Sequence, residues 1–74
     1  MSDKGIENLR NAIILQAVKD LKSAYKALKK DPDSMIARAK TEYEEKFFRS
    51  RWYRILTSID GEAVLLQLRE EADL

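Results

Sequence analysis

A helical repeat that runs unbroken from Ile6 to Lys30, and then meets the chain's only proline, constrains the fold more than any other feature. Ile6, Leu9, Ile13, Ala17, Leu21, Ala24 and Leu28 recur at steps of three and four, the spacing of one α-helical face. Ile14, Val18 and Tyr25 widen that face, while Lys19, Lys22, Lys26 and Lys29 fall on the other side. Such a helix, at ~1.5 Å per residue, is about 37 Å long. It occupies a third of a chain of 74 residues, so every other element must pack along it. Met1 to Gly5 are expected to fray.

Pro32 ends this helix, because an internal proline loses a hydrogen bond and clashes with the preceding turn. Asp31 before Pro32 suits an N-cap followed by the first helical position; Asp33 and Ser34 are alternative caps. The short connection makes the next helix antiparallel to the first. A second helix is expected over 32–48, with Ile36, Ala39, Tyr43 and Phe47 as its apolar line and Glu42–Lys46 and Glu45–Arg49 as i,i+4 ion pairs on a solvated face. Ser50 can cap a short helix over 51–57, and a break there is preferred to a second helix continuing to Thr57. Asp60 is a good N-cap for a last helix over 61–72, with Glu62 in its first turn and Ile59 and Val64 at the positions of a hydrophobic staple. That helix should bury Val64, Leu65 and Leu68. The fold reading is therefore all-α: one domain over 1–74, a small three- to four-helix bundle built on a long helical hairpin.

Size makes the core marginal. Below roughly 70–80 residues a core rarely contributes more than ~3–5 kcal/mol of net stability, and small domains lean on disulfides, metals, regular helix packing or self-association. The chain has no cysteine and no histidine, which removes disulfides and the common zinc sites. Helix packing and self-association remain. No apolar run approaches the ~18 residues of a membrane span, and the N-terminus is not a signal peptide, so the cytoplasm is the expected compartment and no membrane partner is expected.

Catalysis has little to work with. Histidine and cysteine are absent, no glycine-rich phosphate loop exists, and Glu42, Glu44 and Glu45 point around the second helix without converging. The chain reads as no enzyme and as needing no cofactor or metal. The twelve residues from Asp31 to Glu42 have the length of a calcium loop, but Ile36 stands where its glycine is required.

Binding surfaces are better represented. The stretch Phe47–Arg54 interleaves aromatics with Arg49, Arg51 and Arg54; arginine suits phosphate or carboxylate, and aromatics anchor interfaces or stack on bases. In so small a protein the preferred reading makes Phe47 and Trp52 core residues, covered by the arginine stems. Tyr53 falls off the inward face and joins the three arginines and Lys19, Lys22, Lys26 and Lys29 as a candidate binding surface. Leu15, Leu66 and Met35 are also off-face and are candidates for self-association as a homodimer. Arg10 lies within the first helix's apolar stripe and should need a carboxylate such as Asp60 or Glu62, or stay near the frayed end.

Charge is unevenly spread. Residues 1–54 carry 13 Lys/Arg against 8 Asp/Glu, and residues 55–74 carry one Arg against five acids; such asymmetry can mark a polar partner surface or let the two parts attract each other. Nucleic-acid binding by the lysine stripe is the competing reading, but a pI of about 8.0 falls short of the ~9 of a dedicated binder. A helix-turn-helix around Thr57–Gly61 is rejected, because its recognition helix would carry Glu62, Glu70 and Glu71.

The segment Phe47-Phe48-Arg49-Ser50-Arg51-Trp52-Tyr53-Arg54-Ile55-Leu56-Thr57-Ser58-Ile59-Asp60-Gly61-Glu62 resembles a pattern in small uncharacterised proteins of phages and prophages of Gram-positive bacteria. The resemblance covers the last third of the chain, with a weaker echo in NAIILQAVKD of the first helix. It implies a mobile-element accessory protein, and it carries no activity with it. The leading expectation is a non-enzymatic protein-binding accessory factor that modulates a host factor by occupying its surface. A nucleic-acid-binding protein and a structural assembly component are the alternatives.

Overall fold

The computed structural model describes residues 3–74 and contains four helices and, among these residues, no strand. α1 spans Asp3–Lys30, α2 Met35–Arg49, α3 Arg51–Leu56 and α4 Gly61–Glu71. The small all-helical bundle on a long hairpin is the architecture expected from the periodicity. α1 begins at Asp3 rather than Ile6, so Asp3, Lys4 and Gly5 are helical; the remainder of the expected fraying, Met1 and Ser2, lies outside the described residues.

Ser34, not Asp31, starts α2. Asp31 to Ser34 form a turn closed by Ser34 N–H donating to the Asp31 carbonyl at 3.1 Å, with Pro32 in the second position, where its fixed φ fits. The chain reverses there, and Ser34 Oγ accepts from Ala37 N–H at 3.2 Å. Pro32 is therefore in the turn and not in the helix. The break at Ser50 occurs as expected. Its backbone is extended, its N–H and Oγ donate to the Phe47 carbonyl at 3.1 and 2.6 Å, and its Oγ accepts from Tyr53 N–H at 3.1 Å. One serine thus ends α2 and begins α3. Asp60 caps α4, accepting from Glu62 N–H at 3.1 Å, while Ile59 remains 63% exposed and adds little as a staple.

The core consists of Leu21 and Tyr25 from α1, Phe48 from α2, Tyr53 from α3, and Leu65 and Leu68 from α4. Phe47, Phe48 and Tyr53 meet edge-on or tilted at 5.3 to 5.7 Å between centroids, a favoured aromatic geometry.

The buried face of α2 is not the apolar line. It is Ala37, Thr41, Glu45 and Phe48, whereas Ile36 and Tyr43 are 83% and 75% exposed and Ala39 is exposed. The polar residues are tolerated because they are satisfied. Thr41 Oγ1 donates to the Ala37 carbonyl at 2.8 Å. Glu45 Oε2 accepts from Tyr25 Oη at 2.5 Å and from Arg69 Nη2 and Nε at 2.6 and 3.0 Å. The Glu45 carboxylate therefore ties α1, α2 and α4 together, and among the described residues no buried side-chain polar atom lacks a partner. Both members of the expected Glu45–Arg49 pair choose other partners: Arg49 Nε donates to Glu62 Oε1 at 2.6 Å.

α1, with 28 residues, is about 42 Å long, and α2, with 15, about 22 Å. The far end of α1 consequently projects beyond the hairpin, and Lys4 to Ala12 are all exposed. The molecule measures 47 × 20 × 18 Å with a radius of gyration of 13.5 Å, against about 11 Å for a compact domain of this length. No described helix is long and apolar enough to cross a membrane.

Candidate functional site

The break at Ser50 sets the orientation of α3. Within Arg51–Leu56, Tyr53 and Leu56 turn inward, 2% and 8% exposed, while Trp52 and Ile55 face out at 52% and 56%. Trp52 and Ile55, three residues apart, share one side of the helix. This corrects two expectations. Trp52 is not core, and Tyr53 is not surface: the position of the break rotates the whole segment, and the phenol rather than the indole completes the aromatic cluster. Phe47 is half-buried. Burial, assisted by the nearby Asp60 carboxylate, pushes the Tyr53 phenol above its ordinary pKa.

Gly61 lets α4 close on this region. A Cβ there would fall inside the Phe48 carbonyl oxygen and 2.9 Å from its carbon, so only glycine allows the first turn of α4 to lie against the end of α2.

The three arginines separate into two kinds. Arg49 is engaged by Glu62, while Arg51 and Arg54 are exposed and make no ion pair among the described residues. The exposed residues of α3 are therefore an indole, an isoleucine and two guanidiniums that make no ion pair among the described residues.

The lysine stripe is partly neutralised by the chain's own acids. Lys29 Nζ lies 3.1 Å from Asp73 Oδ2 and Lys22 Nζ 3.9 Å from Glu71 Oε2, so the basic and acidic parts of the sequence do meet. Lys26, Lys30, Leu68 and Ala72 complete an open cleft of about 740 Å³ there. Lys19 is exposed without an ion pair among the described residues. The expected partner for Arg10 does not form, since Asp60 caps α4, Glu62 holds Arg49, and Arg10 stands exposed on the projecting end of α1. Leu15, Met35 and Leu66 are 60%, 83% and 62% exposed.

The Tyr25–Glu45–Arg69 cluster, whose phenol and carboxylate are buried, escaped the sequence reading. Burial, and next the hydrogen bond to Glu45, pushes the Tyr25 phenol up to about 12. One carboxylate oxygen, Glu45 Oε2, accepts all three bonds and links α1, α2 and α4, while the Arg69 side chain stays 48% exposed. Among the described residues no group of three or more acidic, histidine or cysteine side chains could hold a metal ion. Comparison with protein-family models, curated proteins and solved structures finds no match to this chain.

Proposed function

We propose that this chain is a non-enzymatic protein-binding accessory factor that docks through the outward face of α3. The observation that carries this reading is the chain's only tryptophan, 52% exposed beside Arg51 and Arg54. Tryptophan and arginine are the residue types most enriched at interface hot spots. A core this small would gain from burying an indole, so leaving it in water favours a use for it there. The matching partner is a protein with an apolar pocket rimmed by carboxylates. The resemblance of Phe47–Glu62 to small phage and prophage proteins supports a mobile-element factor that modulates a host protein in the cytoplasm.

Affinity capture from the natural host tests this. Wild-type protein should retain a partner that Trp52→Ala and the Arg51→Glu/Arg54→Glu pair both lose while remaining helical. Capture unaffected by either variant would remove α3 from the reading. The exposed indole and the two exposed arginines of α3 also suit a stacked base and its phosphates. Sub-micromolar binding of single-stranded DNA or RNA at physiological salt, with quenching of Trp52 fluorescence, would put that reading first.

A further inference from the structure

Four lysines of α1 meet at one cleft. At ~100° and ~1.5 Å per residue, Lys22, Lys26, Lys29 and Lys30 fall within about 100° of arc and about 12 Å of length. All four line the open cleft between the end of α1 and the last turn of α4. Lys26 is four residues from both Lys22 and Lys30, a spacing at which like charges on a helix destabilise each other. The chain compensates only half of them. The Glu71 carboxylate lies 3.9 Å from Lys22 Nζ, beyond hydrogen-bond reach, and Asp73 Oδ2 accepts from Lys29 Nζ at 3.1 Å. Lys26 and Lys30 make no ion pair among the described residues. The other acids nearby in sequence, Asp20, Asp31, Asp33 and Glu70, do not line the cleft. With Glu71 and Asp73 counted, it is left two charges positive.

Asp73 holds its place against a conformational preference. Among the described residues it is the one non-glycine with a positive φ, 62°. Its N–H donates to the Glu70 carbonyl and that of Leu74 to the Arg69 carbonyl, both at 3.0 Å, closing α4 in the left-handed helix end where glycine is usual. Glycine would close the helix with less strain. Aspartate adds a carboxylate, and that carboxylate goes to Lys29. Both ion pairs are solvent-exposed, with side chains 51% to 89% accessible. Pairs of this kind contribute little, so another carboxylate can exchange with them.

We propose that this cleft receives an acidic segment of a partner protein, and that Glu71 and Asp73 are the chain's own stand-ins for its carboxylates, held beside the lysines until the segment displaces them. Charge complementarity is the first argument: two lysines are without a partner, and the two that have one have a carboxylate. Between the charges the lining is apolar, made of lysine stems, Leu68 and Ala72, which suits an aliphatic side chain among the acids. Among the described residues no arginine and no aromatic lines the cleft. It therefore lacks the forked donors and stacking faces that hold phosphates and single strands, which favours a protein segment over a nucleic acid. The cleft is also separate from the α3 surface. It lies at the last turn of α4, whereas Tyr53 of α3 meets the first turn at Gly61.

Fluorescence anisotropy of a labelled peptide of glutamates around one leucine, at physiological salt, tests this with the full chain. Wild type should bind it and should not bind the same peptide with glutamine in place of glutamate. Glu71→Gln/Asp73→Asn should tighten binding at least roughly tenfold; asparagine also accepts the left-handed conformation, so the helix end is kept. Lys26→Glu/Lys30→Glu should weaken binding at least roughly tenfold with the helical circular dichroism unchanged, and Lys26→Gln/Lys30→Gln serves if that variant fails to fold. Arg38→Glu/Lys40→Glu makes the same change of charge on exposed positions of α2 outside the cleft and should leave the affinity unchanged. Trp52→Ala should do so too, which separates this inference from docking through α3. Absence of binding by both wild type and Glu71→Gln/Asp73→Asn at submillimolar peptide overturns the inference. So does an affinity that Glu71→Gln/Asp73→Asn leaves unchanged, or an equal loss in the Lys26/Lys30 and Arg38/Lys40 variants, the mark of general charge attraction. Single-stranded DNA held more tightly than the peptide, and released by Lys26→Glu/Lys30→Glu, overturns it as well.

Discussion

Replacing Gly61 by alanine measures how closely α4 is seated on α2. By helix propensity alone the change is favourable by ~0.5–1 kcal/mol, since alanine loses less conformational freedom. The structure reverses the sign. The new Cβ would overlap the Phe48 carbonyl oxygen, approach its carbon to 2.9 Å and lie 3.3 Å from Tyr53 Cε1. The first two atoms are backbone of α2 and cannot rotate aside, so α4 must lift. A lift of ~0.5–1 Å already forfeits a quarter to a half of the attraction at each contact, here around Leu65 and Leu68, and overpacking of this kind costs ~1–3 kcal/mol. Against the ~3–5 kcal/mol available to a domain of this size the loss is large. At ~4–8 °C per kcal/mol, Tm should fall by about 5–20 °C. Gly5 is the internal control: a Cβ there meets nothing within 4 Å, so Gly5→Ala should hold or raise stability. Thermal and urea unfolding, followed by far-ultraviolet circular dichroism, read both variants. A Gly61→Ala protein as stable as wild type would refute the close seating of α4.

Three further outcomes are expected. Tyr25, with its pKa pushed up to about 12, keeps its proton in the folded state while an unfolded tyrosine loses it near pH ~10. Stability should be intact below pH ~10 and fall by on the order of 2–3 kcal/mol as pH rises towards about 12. Urea unfolding at neutral and high pH should show this loss shrinking in Tyr25→Phe, and equal losses in both proteins would remove tyrosine as its cause. Trp52→Ala, at 52% exposure, should cost under ~2 kcal/mol rather than the ~3–5 of a fully packed aromatic; a collapse in Tm would return the indole to the core. Nucleic-acid binding through the lysine stripe should be weak at physiological salt, because Glu71 and Asp73 already engage Lys22 and Lys29. A salt titration with duplex DNA, single-stranded DNA and RNA checks this, and tight binding with a steep salt slope that Lys22→Glu/Lys26→Glu/Lys29→Glu abolishes would contradict it.

Local chemistry in the sequence determined the four helices and most of their ends. The 3.6-residue periodicity drew α1, and the capping oxygens of Ser50 and Asp60 marked the starts of α3 and α4, because these are short-range effects. The excess of bases before Ile55 and of acids after it left open a partner surface or a mutual attraction, and the structure joins the two parts at Lys22–Glu71, Lys29–Asp73 and Arg49–Glu62. Tertiary structure alone decided which face of α2 is buried. Hydrophobic spacing selects Ile36, Ala39, Tyr43 and Phe47, but burying Glu45 becomes acceptable only when Tyr25 and Arg69, 20 and 24 residues away, converge on its carboxylate. A local pattern cannot register partners so distant. That exchange leaves Ile36, Ala39 and Tyr43 of α2 exposed. Likewise, the choice between Trp52 and Tyr53 rested on the exit angle of α3 at Ser50 and the close approach at Gly61, which set the direction each ring points but leave no trace in residue spacing.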